Sequence, residues 1–361
     1  MLERRGVLTA PAAFVERLES PADDGLIRLA GLEPTALPVY AAHQIKADYP
    51  ASVTAKLRIA RDLDRSYQDV AGTLIWLDLD RVGADRRTVA IDVRGPGGAL
   101  QVRLSTHRHD DKEVRFVPVE GARLEETIGK LGAWARQQGA EAVERHGRLS
   151  AAVLGSAPAT LAEVNLALTS FLLTDHLEWD APSVLVSDLA ERELMTGVID
   201  EMVNGIDDVV TVFNAAVDSL AAADIDPQVR PLAPDYLPLH YSCDRDGRRC
   251  SLRHGRRRAD HLAVTKCGCG AEYEFALGTT SLSIAELAAT GRWSTDVTLP
   301  IPLNDLASGV VAGRSSALYG LVLNEVMEKV LARTPIPMLV SSELTTQPDA
   351  QSLLQEYLTG P

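Results

Sequence analysis

The chain has 361 residues, a formal net charge of −14, 46% hydrophobic content and only 5% aromatics. That length suits one large α/β domain with insertions, or two domains, and the acidic balance disfavours non-specific binding to nucleic acid or anionic membrane. The start, MLERRGVLTAPAAF, lacks the apolar core of a signal peptide, and no apolar run approaches the roughly 18 residues of a membrane span. A soluble cytoplasmic protein with no membrane partner is expected, its core resting on Leu, Val, Ile and Ala.

Residues 36–46 (ALPVYAAHQIK) read as a buried strand entering a polar loop. A helix follows through VTAKLRIARDL, with Ser52 as its N-cap. TLIWLDLD (73–80) reads as a buried strand ending in carboxylates, and RTVAIDVR and LQVRLSTHR as two strands joined by a Gly-Pro-Gly-Gly turn at 95–98. This β-loop-α-β opening is that of a parallel-sheet, nucleotide-binding type of fold. Helices are expected over 122–150 and 160–178, a strand over 183–188 and one long helix over about 189–222. Prolines 227, 231, 234 and 238 mark a break into the cysteine region. Beyond it come a short helix (LSIAELAAT), strand and loop (VTLPIPLNDLASGVVAGRSS), a helix (ALYGLVLNEVMEKVLAR), the strand PMLVSS and a polar tail.

All four cysteines fall in this middle segment, as Cys243-x6-Cys250 and Cys267-x-Cys269. Two short-spaced pairs brought together across a hairpin supply the four soft ligands of a tetrahedral zinc, and a full thiolate shell leaves no site for water, so a structural zinc is expected. His254 or His261 can stand in for one cysteine. Between the pairs lie Arg245, Arg248, Arg249, Arg253, Arg256, Arg257 and Arg258. This loop reads either as a solvated charge run or as a docking surface for an anionic partner: a transfer RNA, a carrier protein or a phosphorylated substrate.

Several residues sit where a parallel sheet binds ligands, at the carboxyl ends of strands. His43, Gln44 and Lys46 follow the first strand and can hold phosphate charge or an amino-acid carboxylate. Asp78 and Asp80, placed on one face by the alternation of a strand, can hold a substrate ammonium or magnesium, or simply pair with Arg58 or Arg81. Asn304 and Asp305, then Gly313, Arg314, Ser315 and Ser316 before a helix, make an anion site or an ordinary cap. His107, His109 and Asp110 lack a third ligand and read as a solvated hairpin end. The chain carries no Gly-x-Gly-x-x-Gly, no Gly-Lys-Ser/Thr loop, no Gly-x-Ser-x-Gly elbow and no HIGH-like or KMSKS-like signature.

The C-terminal third, RWSTDVTLPIPLNDLASGVVAGRSSALYG, resembles the segment FSPNVLLRPLVQD…AYVGGPGEIAY of the bacillithiol cysteine ligase (BshC) family, with Ser294, Val297, Leu299, Asp305, Val311, Gly313 and Tyr319 in step. The run HQIKADYPASVTAKLRIARDL…TLIWLDLDR is similar to that family's GQQ…TGPLYTIYKALSAIKLAREL…FWIAGEDHD, matching at Gln44, Pro50, Ile59, Ala60, Arg61, Leu63 and Trp76. Three departures fall where chemistry is expected. The Glu-Asp-His-Asp cluster is reduced to Asp78 and Asp80, the family's arginine is Pro300, and the glutamate of GGPGE is Ser316. The family's long coiled coil must shrink to helices such as 122–150 or 189–222.

The resemblance implies a Rossmann-like core related to class I aminoacyl-tRNA synthetases, here with a small zinc-ribbon-like insertion. The expected division is core over 1–226, insertion over 227–280 and the rest of the core over 281–361. The implied activity joins an amino acid, cysteine among the candidates, to an amine or a carrier-linked acceptor, with ATP and magnesium or an aminoacyl-tRNA as energy source. Asp78, Asp80 and His43 would carry the chemistry. The alternative is a module without catalysis that docks transfer RNA or a carrier protein through Arg245–Arg258. The oligomeric state is left open.

Overall fold

The computed structural model describes residues 7–8, 37–66, 70–181, 183–307, 309–341 and 351–360. Its centre is a sheet of six strands: β1 (Val7–Leu8), β2 (Leu37–Gln44), β3 (Val70–Leu77), β6 (Ser183–Leu185), β12 (Gly309–Ala312) and β13 (Met338–Ser341), in the order β1-β13-β12-β2-β3-β6. Five of them run parallel, and β1 pairs antiparallel with β13 at the edge. In chain order the parallel strands stand as 3-2-1-4-5, the strand order of a Rossmann-type sheet.

Parallel strands are covered on both faces, so alternate side chains must feed two cores. Val39, Ala41, Leu74 and Trp76 enter the first core, and Tyr40 and Ile75 the second. Each fully buried Leu or Ile contributes on the order of 1.5–3 kcal/mol.

The first core is closed by α1 (Ala51–Ser66), the hairpin β4 (Ala90–Gly95) and β5 (Gly98–Arg103), then α2 (Gly121–Gln138), α3 (Ala140–Gly155) and α4 (Leu161–Phe171). Pro50 O accepts from Val53 N and Thr54 N, so α1 starts at Ala51 and Ser52 lies inside its first turn rather than capping it. The hairpin turn at 95–98 forms as expected, with Gly98 at a φ of 105° that favours glycine. The following segment departs from expectation: β5 stops at Arg103 and His107–His109 form a 3-10 turn. His107 there bonds Asp110 and His109 bonds Ser105, so the two rings make no metal pair.

The second core holds α5 (Val186–Glu191), α6 (Thr196–Asn204) and α7 (Ile206–Ala222). The single helix expected over 189–222 is therefore three. The chain turns at Arg192–Met195, with Glu193 at a φ of 60°, and again at Gly205. The strand expected over 183–188 ends at Leu185, because Ser187 is recruited into α5 by hydrogen bonds to Asp78.

A second sheet packs on the same core: β7 (Tyr236–Ser242), β8 (Arg249–Arg257), β9 (Asp260–Lys266), β10 (Glu272–Gly278) and β11 (Trp293–Thr295). It is antiparallel in the order β10-β9-β8-β7-β11 and contributes Leu237, Leu239, Tyr241 and Leu252 to the core. The arginine-rich stretch expected as a loop is largely strand β8.

A one-turn helix, α8 (Ala285–Ala288), precedes β11, and α9 (Pro300–Leu303) starts on Pro300, which needs no amide donor at that position. The helix α10 (Arg314–Lys329) follows β12. The expected polar tail is corrected to a docked helix, α11 (Leu353–Thr359), whose Leu353, Leu354, Tyr357 and Leu358 are buried in the first core. No helix among the described residues is long and apolar enough to cross a membrane.

Candidate functional site

In an open α/β sheet the strand order reverses at one place, and the loops there diverge to leave a crevice at the carboxyl ends. Here that place lies between β2 and β12. A cavity of about 270 Å³ opens there. Leu77, Leu299, Leu303, Leu323, Met327 and Ile336 give it apolar walls, and His43, Gln44, Lys56, Asp80, Asn304 and Ser316 give it polar points.

The strand-end residues singled out in the sequence divide between the cavity and its surroundings. His43 is partly buried, and burial together with Lys56 and Lys46 nearby pushes its imidazole down to about 3. It is therefore neutral at pH 7 and carries no charge for a phosphate. Its Nδ1 lies 2.9 Å from Gln44 O and is the donor in that bond, which leaves Nε2 as an acceptor. Gln44 donates through Nε2 to Asp80 Oδ2. Lys46 is buried outside the cavity and paired with Asp85 at 2.5 Å. Asp78 is also outside it. Because β3 ends at Leu77, Asp78 and Asp80 share no strand face. Asp78 accepts from Ser187 N at 3.1 Å and Ser187 Oγ at 2.5 Å, and burial pushes its carboxyl up to about 6.

The C-terminal group divides as well. Asn304 lines the cavity, donating to Thr334 O and accepting from Ile336 N at 2.8 Å. Asp305 faces away and holds Arg333 through both oxygens. Gly313 is the N-cap of α10, and no side chain caps that end. Ser316 lines the cavity, whereas Ser315 lines a separate surface pocket with Asp226 and Gln228. The side chain of Arg314 lies outside the described part of the structure.

Lys56 is the residue that strand-end reasoning passes over. It sits on α1 within the buried stripe Val53, Lys56, Leu57, Ala60 and Leu63. A lysine on an apolar helical stripe is the signal that could have found it. Its ammonium reaches back to Ala42 O, and burial lowers it from 10.5 to about 8.

Cys243 and the pair Cys267 and Cys269 lie at two facing turns, one after β7 and one between β9 and β10, and Cys250 packs against them from β8. The turns are alike: Cys243 N bonds Arg248 O and Gly247 N bonds Cys243 O, while Cys267 N bonds Ala271 O and Gly270 N bonds Cys267 O. Gly247 and Gly270 take φ of 75° and 90°, which favour glycine.

The donor atoms of Cys243, Asp246, Cys267 and Cys269 lie within 4.8 Å of one another and could hold a metal ion. Thiolates at about 2.3 Å from a tetrahedral metal lie about 3.8 Å apart. The Sγ atoms of Cys243 and Cys269 are 3.7 Å apart, and Cys267 Sγ is 3.5 Å from Asp246 Oδ1. The expected set thus changes by one member. Asp246 joins the group, while Cys250 packs against it, its thiol within hydrogen-bond reach of Cys267 and 3.5 Å from Arg248 O. Cys243-x2-Asp246 has the spacing of a cysteine pair in a zinc knuckle, a signal the sequence does contain. His254 and His261 stack on each other across β8 and β9, 2.8 Å between ring nitrogens, and do not join the group.

The arginines of β8 and Arg248 just before it mostly have acidic partners. Arg248 pairs with Asp246, Arg253 with Asp235, Arg256 with Asp207 and Arg257 with Glu274. Arg249 turns inward. It donates to Ser294 Oγ and Thr295 O, and its guanidinium lies beside Asp80 and the fully buried Glu113, which Arg115 also holds.

No protein-family model matches this chain, and no curated relative matches it.

Proposed function

We propose that the protein is a ligase or aminoacyl transferase that joins an amino acid to an amine or carrier-linked acceptor in the cavity at the β2–β12 reversal. One observation carries this reading: a sheet ordered 3-2-1-4-5 brings His43, Gln44, Asp80, Asn304 and Ser316 to one crevice beside the uncapped start of a helix. An uncapped helix start favours an anionic group, and the reading takes the core as class I synthetase-like.

The chemistry forms a C–N bond. The amine nitrogen attacks the activated carboxyl carbon, the bond from that carbon to the activating phosphate breaks with the phosphate leaving, and the nitrogen's proton passes to solvent. ATP with magnesium would supply the activation. Asp80, ordered by Gln44 and Arg249, holds the amino group of the substrate. His43, kept neutral, accepts a hydrogen bond from a substrate N–H. We also propose that the Cys243, Asp246, Cys267 and Cys269 group holds a structural zinc, which fixes the two turns and with them the sheet that carries Arg249.

The test is to incubate the full chain with ATP, magnesium, a mixture of amino acids and a panel of amines. Release of pyrophosphate or phosphate together with a new amide mass supports the reading. Neither nucleotide turnover nor amide product, with aminoacyl-tRNA also tried as donor, removes it.

A further inference from the structure

Among the described residues two carboxylates and one lysine line the cavity, yet the lysine is paired with neither carboxylate. Asp80 is engaged by Gln44 and Arg249, and Asp296 accepts from Tyr236 Oη at 2.6 Å and from Thr298 Oγ1 at 2.8 Å. Lys56 is only 5% exposed. Among the described residues its one polar partner is the backbone carbonyl of Ala42. An ammonium has three donors, and two of these are left without a partner among the described residues. A buried cation without a counter-charge is costly, and such groups concentrate at ligand sites.

The rest of the cavity narrows the ligand. Among the described residues no arginine and no other lysine lines it. Side-chain donors for a phosphate are few there, whereas a carboxylate is matched by one ammonium and a polar neighbour. Most of the cavity's remaining lining is Leu, Val, Met and Ile side chains, which bury an apolar body.

We infer that Lys56 is the receptor for the carboxylate of an apolar organic acid bound in this cavity. The inference rests on the reading of the cavity as the substrate site, and it sharpens that reading: the acid substrate carries an aliphatic side chain rather than a polar one. The Lys56 ammonium donates to the carboxylate, and the chain of the acid lies against Leu299, Leu303, Leu323 and Met327.

Calorimetric titration of the full chain with 4-methylpentanoate and with its uncharged amide tests this, without nucleotide or amine present. The acid is expected to bind about 10- to 100-fold more tightly than the amide, the range of a buried charged hydrogen bond. The variant K56M is expected to lose that preference while still binding the amide, and K56R to keep part of it. Equal binding of acid and amide, unchanged acid binding by K56M, no binding of either probe, or inorganic phosphate binding more tightly than the acid each overturns the inference. The comparison in the unmodified chain holds even if a variant fails to fold. A chain that binds the acid but forms no amide keeps the Lys56 receptor and loses the ligase reading. Amide formation by K56M at an unchanged KM for the acid does the reverse.

Discussion

Arg249, on β8, brings its Nη1 to 3.4 Å from Oδ1 of Asp80, just beyond the end of β3. Through this pair the sheet that carries the cysteines touches the mouth of the cavity. The same guanidinium reaches buried Glu113 and, through Thr295 O, strand β11.

Replacing Arg249 by Met should therefore act twice. Glu113 keeps Arg115, so the stability loss should be about 2–3 kcal/mol, below the roughly 3–5 of a fully orphaned buried charge. Asp80 loses its cation and should order substrate less well. Denaturant unfolding reads the first effect and KM for the amino substrate the second. An R249M variant with unchanged unfolding midpoint would show that the network contributes nothing.

Lys56 makes stability depend on pH in a definite direction. Burial lowers its ammonium from 10.5 to about 8, so the folded chain holds the proton less well than the unfolded one. The resulting penalty, on the order of 3 kcal/mol at 1.36 kcal/mol per tenfold, is fully present below about pH 8 and fades as pH rises to 10.5. K56M should thus be more stable than the unmodified chain at pH 7 by up to that amount, with the gain shrinking above pH 8. Thermal unfolding of both proteins across that window checks the sign.

Asp78 and Asp80 should separate. Burial holds Asp78 up to about 6 against an ordinary 3.8, so its charged form opposes folding above pH 6 and this opposition fades as pH falls toward 4. D78N should leave stability at pH 8 unchanged or raise it by up to about 3 kcal/mol, with little change in amide formation. D80N should lower amide formation by at least about tenfold, as loss of a charged contact to the reacting amine requires. Equal activity losses in the two variants would contradict the placement of Asp78 outside the cavity.

The metal centre is tested by stoichiometry. C243S, C267S and C269S should each lose bound zinc, and D246A should bind it more weakly, whereas C250S should retain one equivalent. Removing zinc by chelation should also raise KM, because the turn after β7 leads directly into Arg249. Elemental analysis of the purified variants decides this, and loss of metal in C250S with retention in D246A would restore the four-cysteine set.

Much of the parallel sheet was legible because β2 and β3 are buried on both faces and therefore read as unbroken apolar runs. What escaped was set by distant partners. The strand at Ser183 is cut short by Asp78, which lies far away in sequence. The tail looked polar because only Leu353, Leu354, Tyr357 and Leu358 of its helix face inward, and the receiving surface is built from α1, α3 and the β4–β5 hairpin. At the site, His43, Gln44, Asp80, Asn304 and Ser316 were found from their strand-end and helix-start positions alone. Lys46 and Asp305 occupy similar positions but are claimed by Asp85 and Arg333, which spacing does not reveal.

The neighbours that define the crevice, β2 and β12, pair at Val39 with Gly309, so nearly the whole described chain is threaded between the two walls of one pocket. Closing so long an interval costs entropy before any contact rewards it. Ligand recognition is thus a property of the completed molecule, and no contiguous fragment inherits it. During refolding, affinity for a small acid should appear only in the final kinetic phase, after the hairpin and the helices α2–α4 have acquired hydrogen-exchange protection.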